Sequence, residues 1–409
     1  QSGSYDVTFY ATDASSAVDS EIVTITVNDS NREPVADAGQ DQYGVPVGDL
    51  VTLDGTGSYD PDSDPLNYDW VQIGGQTVFL SDAADSMPTF TTSVTDIYIF
   101  ELTVDDGLVT PAPDTVEIEV VNAAPPVAVA DLSVQILGDA IDLAWSAALF
   151  DTAGFATTID YYVISRGTQA YFNPGPADSI GMTTVITNFA DNDIDGANVV
   201  GDTSVHYFYV VQAVDVYGNR SAPSNRVGEY DYQLVTTATT NYNLIGIPFE
   251  NTGITTADDL IAAIGVSNVN TVNNFNAASQ SFEARFAAGF GVNFAIAAGG
   301  VYQVNSAAAT VLSVAGSVPD SGVVSYEIVT TSTTDFSFLM IPFEYESDYA
   351  VAQDVLDSLP GVLNTLNNFD AASQNYQSRF AAGFGINFPV RPGKPYQANA
   401  AANGVFPGP

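Results

Sequence analysis

Residues 4–28 read SYDVTFYATDASSAVDSEIVTITVN. Apolar and polar side chains alternate along two runs separated by a turn, the pattern of strands with one face to be covered, so the segment predicts two antiparallel strands. A lone hairpin is marginally stable in water, and this one therefore needs more sheet. Two sources are open: strands encoded earlier in a longer precursor, or a strand added by another subunit. The chain starts at Gln1 with neither Met nor signal peptide, from which we expect processing from a longer precursor.

Strand patterns continue to the end, where the sequence repeats itself. TTATTNYNLIGIPFE from Thr236 matches TTSTTDFSFLMIPFE from Thr330, an offset of 94 residues. NNFNAASQSFEARFAAGFGVNF from Asn273 matches NNFDAASQNYQSRFAAGFGINF from Asn367 at the same offset, with 16 of 22 residues identical. Each copy predicts a strand running into Ile-Pro-Phe-Glu, one short helix (ADDLIAAIG or AVAQDVLDSLPG), then strands with tight Gly turns. The copies part at their ends: TVLSVAG can form a strand, whereas GVFPGP is broken by prolines.

The 409 residues carry 49 acidic and 8 basic side chains, a formal charge of −41, with 38 Asp against 11 Glu. A bias to Asp suits turns and hard cations rather than long solvated helices. The lack of a basic stripe excludes nucleic acid as a partner, and an anionic membrane surface would repel the chain. The absence of cysteine excludes disulfides and thiolate chemistry. No apolar run reaches the roughly 20 residues of a membrane span. A 46% hydrophobic content supplies real cores over several modules.

Several segments resemble known families. Residues 4–28 resemble the last two strands of a bacterial immunoglobulin-like or cadherin-like repeat. The joint that follows, NDSNREPVADAGQDQ, resembles the calcium-binding linkers of cadherin-type repeats through Asn28, Asp29 and Asn31. LDGTGSYDPDSDPLNYDW (53–70) with YIFELTVDDGLVTPAPDTVEIEVVN (98–122) resembles a PKD-type β-sandwich, which implies a buried Trp70. ADLSVQILGDAIDLAWS (130–146), YYVISRG (161–167) and HYFYVVQAVDVYGNRSAPSN (206–225) resemble fibronectin type III, with Trp145 at a core position and long insertions over 147–158 and 171–202. The C-terminal pattern resembles small β-rich modules of large bacterial surface proteins. The expected fold class is all-β: serial immunoglobulin-like β-sandwich modules followed by two homologous β-rich modules, each with a short helix. The expected divisions are 1–33 (partial immunoglobulin/cadherin-like), 34–122 (PKD-like), 123–235 (fibronectin type III-like), 236–323 (repeat 1) and 324–409 (repeat 2).

Catalytic chemistry finds little purchase. His206, the one histidine, falls in an alternating strand pattern, and no nucleophile elbow, H-E-x-x-H helix or phosphate loop occurs. The aspartates instead cluster in turns. Asp60, Asp62 and Asp64 of DPDSDP can converge on a calcium ion, or form a purely structural turn. In DNDIDGANVVGD, residues Asp191, Asp193, Asp195, Gly196 and Asp202 match EF-hand loop spacing, although strands rather than helices flank them. Residues 1–235 hold 36 acids and 4 bases, and residues 236–409 hold 13 and 4. General adaptation to salt would acidify all modules alike, so this asymmetry favours divalent cations, Ca²⁺ as the cofactor, in the first part.

The repeated R-F-A-A-G-F-G-x-N-F places Arg285, Phe286 and Phe290 in one copy and Arg379, Phe380 and Phe384 in the other. These side chains either fill a small core or form an aromatic and arginine docking surface. Two equal surfaces one repeat apart suit a contact that propagates into filaments or lattices. The expected function is therefore a non-catalytic, secreted structural protein at the cell surface, self-associating through its terminal modules and stiffened by calcium. The alternatives are an adhesin or carbohydrate-binding region with surface glycans as partner, and accessory modules of a large secreted enzyme. Asn28 and Asn219 also lie in Asn-x-Ser sites.

Overall fold

The computed structural model describes all residues except 1–2, 28–29, 110, 193–198, 238–239, 331, 333–334 and 408–409. The chain divides into two compact units, Gln1–Ala124 and Pro125–Pro409. Its secondary structure is nearly all strand, as the alternating patterns require.

In the first unit, β1 (Gly3–Thr12) and β2 (Val18–Val27) form the antiparallel hairpin. The register sets Tyr5 opposite Ile25 and Val7 opposite Val23, so these four share one face with Phe9 and Val27. That face is exposed, Phe9 by 56%. Then come β3 (Gln42–Pro46), β4 (Leu50–Thr52), β5 (Asn67–Gly74), β6 (Thr89–Thr91), β7 (Asp96–Asp105) and β8 (Asp114–Val121). They form a four-stranded sheet, β3-β8-β7-β5, and a two-stranded one, β4-β6. Tyr98, Phe100, Leu102 and Val104 alternate along β7 and are fully buried against Leu53, Phe90 and Trp70. The Trp70 indole donates to the Asp85 carbonyl at 3.1 Å, which satisfies its one polar atom.

The second unit opens with β9 (Ser133–Leu137), β10 (Ala140–Ala144), β11 (Ile159–Gly167), β12 (Ser179–Thr183), β13 (Asn188–Asp191), β14 (Phe208–Asp215) and β15 (Val227–Leu234). Repeat 1 supplies β16 (Tyr242–Gly246), α1 (Ala257–Ile264), β17 (Val269–Asn276), β18 (Ser281–Phe286), β19 (Val301–Ser306) and β20 (Thr310–Ser317). Repeat 2 supplies β21 (Tyr326–Ile328), β22 (Phe336–Met340), α2 (Ala352–Ser358), β23 (Leu363–Asp370), β24 (Asn375–Phe380), β25 (Pro395–Ala400) and β26 (Gly404–Phe406). A three-stranded sheet β13-β10-β9 and a five-stranded sheet β12-β11-β14-β15-β20 enclose Trp145, whose ring meets Tyr162 edge-on at 5.4 Å. The repeats form sheets of matching order, β16-β19-β17-β18 and β22-β25-β23-β24.

The 94-residue offset extends further in space than in sequence identity. Tyr232 pairs with Leu312 in β15–β20, and Tyr326 pairs with Phe406 in β21–β26, an equivalent register. Strand β15 thus serves the fibronectin-like sheet through β14 and the first repeat through β20, so the chain crosses the division placed after Val235 with no break in pairing. GVFPGP, expected to be too proline-broken for a strand, forms β26 over its first three residues; Pro407 follows the strand rather than interrupting it.

Helix α1 is fixed by a capping box, in which Asp259 N–H donates to Thr256 Oγ1 at 3.3 Å and Thr256 N–H to Asp259 Oδ2 at 2.9 Å. It stops at Gly265, whose φ of 94° a side chain would resist.

Candidate functional site

The acidic turn of the first unit is organised by hydrogen bonds. Asp60 Oδ1 accepts from the backbone N–H groups of Asp62 at 2.6 Å and Asp64 at 3.2 Å, while Asp60 Oδ2 is buried without a partner. Asp62 faces Arg32, which donates from Nε at 2.9 Å, from Nη2 at 2.6 Å and from its backbone N–H at 2.8 Å. These bonds hold the Asp62 carboxyl below the usual carboxylate range. Asn31 donates to Asp106 Oδ2 at 2.7 Å. The joint residues Asn31 and Arg32 therefore grip two loops of the PKD-like sandwich, while Asn28 and Asp29 lie outside the described residues.

In the second acidic loop, Asp193 and Asp195 lie outside the described residues. Asp191 is fully buried, accepting from Arg166 Nη1 at 2.7 Å and from the Tyr209 hydroxyl at 3.0 Å. Asp202 turns instead to Ser204, accepting from its hydroxyl at 2.6 Å and its N–H at 2.9 Å. Among the described residues, no three Asp, Glu or His side chains converge as a metal-binding group.

The R-F-A-A-G-F-G loops place their arginines and phenylalanines in separate roles. Arg285 forks onto Asp258, with Nε to Oδ1 at 2.7 Å and Nη2 to Oδ2 at 2.9 Å, and its Nη1 donates to the Gly291 carbonyl at 3.2 Å. Arg379 donates to Gln353 Oε1 at 2.7 Å and to the Gly385 carbonyl at 3.2 Å. Phe286 stacks on Phe290 at 4.3 Å and Phe380 on Phe384 at 4.4 Å. The outer rings stay open to solvent, Phe290 by 57% and Phe384 by 59%. Val292 and Ile386 extend the exposed apolar surface of each loop.

A cleft unseen in the sequence lies where the fibronectin-like module meets repeat 2. His206 is not in a strand; it occupies the irregular segment before β14, because its ring stacks flat on Tyr230 at 3.6 Å. Its Nδ1 accepts the Asp231 N–H at 3.3 Å. Burial, aided by nearby Arg391, lowers the imidazole pKa to about 4, so His206 is neutral at pH 7. Beneath it lie two buried acids on one face of β15. Glu229 accepts from Tyr207 N–H at 2.8 Å, and Asp231 accepts from Gly201 N–H at 2.6 Å. Burial first, then the Asp231 charge, pushes Glu229 up to about 9; burial also raises Asp231. Arg391 and Lys394 line the same cleft as Asp231. The signal for these residues is the mismatch between aligned repeats, where Arg391 and Lys394 stand against Ala297 and Gly300.

Residues 38–120 match a family described as a PKD domain. The chain is 35% identical over 130 residues to the dyslexia-associated protein KIAA0319 homolog of Mus musculus, covering 31% of this chain and 12% of that relative. The chain thus spans only a small part of the relative's length. The solution structure of the PKD domain from KIAA 1837 protein shares 30% identity, with 24% of this chain and 95% of that chain covered and a TM-score of 0.20. A segment of two fibronectin type III domains from chicken tenascin shares 12% identity over 48% of this chain and 96% of that one, with a TM-score of 0.23. Among the described residues, no helix is long and apolar enough to cross a membrane.

Proposed function

We propose that the chain is a non-catalytic structural protein of the cell exterior, a subunit of a filament, stalk or surface layer that assembles through its C-terminal repeats. The observation that carries this reading is the duplicated phenylalanine stack, presented to solvent on two loops of the same sequence. When the loop of one repeat docks on the other repeat of a neighbouring copy, the contact does not close on itself and an open line of subunits results. The repeats suit such a contact because residues 236–409 carry 13 acids and 4 bases, a weak self-repulsion beside the 36 and 4 of the preceding modules. In this reading Ca²⁺ bound at the acidic joints, with Asn28, Asp29, Asn31, Asp60 and Asp64 as donors, limits bending between modules. The open apolar face of the β1–β2 hairpin receives sheet from a neighbouring subunit.

Sedimentation velocity and negative-stain microscopy of the purified chain test the proposal. The expected result is ordered fibres or sheets, depleted by Phe290→Ser with Phe384→Ser; monodisperse particles at all concentrations would refute assembly. Calcium is tested separately by melting, where an unchanged Tm at millimolar Ca²⁺ removes the stiffening role.

A further inference from the structure

The two repeats carry one cleft twice. In one copy Phe275, Tyr326, Ser337 and Phe338 line a cavity of 330 Å³. Ninety-four residues away in each case, Phe369, Tyr232, Asn243 and Leu244 line a cavity of 300 Å³. Four positions break the correspondence in charge: Ser325 and Glu327 of the first cleft become Asp231 and Gln233 in the second, and Ala297 and Gly300 become Arg391 and Lys394. Arg391 and Lys394 are two of the eight Lys and Arg residues in a chain of net charge −41. His206, the single histidine, enters only this second cleft, and an adjoining cavity of 460 Å³ shares its His206, Tyr230 and Arg391 walls.

Internal charge balance does not account for the two cations. Neither Arg391 nor Lys394 takes part in an ion pair among the described residues, where Arg32, Arg166 and Arg285 do. The acid that lines the same cleft, Asp231, is raised by burial and accepts from the Gly201 N–H rather than from either cation. Lys394 feels Asp370 more weakly than it feels burial and Arg391, both of which oppose its charge. Two cations held close together against mutual repulsion, where the duplicate cleft has no cation and one acid, Glu327, have a use for an anion.

We propose that the Arg391–Lys394 cleft binds the carboxylate of a small acidic sugar. Arginine and lysine supply the charge-assisted donors for a carboxylate. The neighbouring walls are the rings of His206, Phe369 and Pro395 with the polar Gln233 and Thr203, the mixture of apolar surface and few polar groups typical of small-ligand sites. The size is also right, since the cleft and its neighbour hold one or two pyranose rings. A long polyanion is disfavoured because the acidic remainder of the chain repels it, so the ligand is a single or terminal acidic residue. This site is independent of the phenylalanine loops and of assembly.

Calorimetric titration of the full chain with glucuronic acid, glucose and acetate tests the proposal, beside a variant that copies the cation-free cleft at these two positions, Arg391→Ala with Lys394→Gly. Its side chains already occur in the equivalent frame, and its melting temperature is measured alongside, with Lys394→Gln as the milder variant should the double change unfold. Saturable binding of glucuronic acid is expected, weakened at least about tenfold by the variant and absent for glucose. Acetate should bind at least about tenfold more weakly than glucuronic acid. No binding of glucuronic acid, equal binding by the folded variant, or equal affinity for acetate would each overturn it.

Discussion

Gln374 closes the open backbone of Tyr242: its amide nitrogen donates to the Tyr242 carbonyl at 2.8 Å and its oxygen accepts the Tyr242 N–H at 2.9 Å. Gln280, its equivalent, does the same to Phe336, the equivalent of Tyr242, at 2.9 and 3.0 Å. Tyr232 donates to the Gly393 carbonyl at 2.6 Å and Tyr326 to the Gly299 carbonyl at 2.8 Å, again one contact made twice. Reciprocal contacts of this kind define a two-fold relation, so the repeats form a dimer within one chain. The glutamines cap the outward groups of the edge strands β16 and β22, which would otherwise be templates for foreign strands.

Gln374→Ala is accordingly expected to destabilise the second unit by about 1–3 kcal/mol, the cost of leaving two partly buried backbone groups unpaired. Gln280→Ala should match it, since the contact is the same. Equilibrium denaturation in urea measures both, and midpoints equal to wild type would deny the bridge a stabilising role.

On the two-fold axis residues meet their own equivalents. Phe249 packs on Phe343 at 5.3 Å, and a Cβ added at Gly246 would lie 2.5 Å from the sulfur of its counterpart Met340 and 2.9 Å from the Tyr232 hydroxyl. Gly246→Ala should cost about 1–3 kcal/mol through overpacking. Combining it with Met340→Ala should cost less than the sum of the two single changes, because the removed thioether makes room for the new methyl. Additive losses in a double-mutant cycle would show that the two sites do not touch.

The buried acids give stability a pH dependence with a definite sign. Glu229 has a carboxyl pKa raised from 4.5 to about 9, so the folded state holds a proton that the unfolded chain releases. Its contribution is complete below pH 4.5 and is lost as pH rises toward about 9. His206 acts oppositely, since a pKa lowered from 6.5 to about 4 adds stability as pH rises across that interval. Above pH 6.5 the Glu229 effect is no longer opposed by His206, and stability should fall at up to about 1.4 kcal/mol per pH unit. Glu229→Gln, which still accepts from Tyr207, should flatten that slope; an unchanged slope in melts from pH 6.5 to 9 would assign it to other groups.

Period-two alternation is a local property, which is why β1 and β2 are legible in the sequence, whereas the buried Trp70 and Trp145 follow from the resemblance of their segments to the PKD and fibronectin type III families. The fixed offset likewise exposes the tandem repeat, and both short helices fall within the segments expected for them. What stays hidden depends on pairing between distant segments. Nothing in TVLSVAG says that it will pair with β15, and His206 leaves the strand pattern because Tyr230, 24 positions away in sequence, offers a ring to stack on. The acidic turn is legible only in part: spacing can announce that Asp60, Asp62 and Asp64 share a loop, but not that Arg32 holds Asp62.

The sequence groups the arginines of the duplicated loops with the phenylalanines, and the structure separates their effects. Arg285 ties the loop to α1 through Asp258 and to the Gly291 carbonyl, so it shapes the surface, while Phe290 is the surface. Phe290→Ser with Phe384→Ser removes mostly exposed rings and should change folding stability by no more than about 0.5 kcal/mol for each. Arg285→Ala should cost about 0.5–1 kcal/mol, the scale of a solvent-accessible ion pair, and loosen the loop that presents Phe290. On the assembly reading the serine pair abolishes self-association at unchanged Tm, whereas Arg285→Ala weakens it only in part, because Arg379 holds the second loop intact. Sedimentation velocity at matched concentration separates these outcomes. If the serine pair sediments like wild type while remaining associated, the contacts lie elsewhere, and the open apolar face of Tyr5, Val7, Phe9, Val23 and Ile25 becomes the next surface to alter.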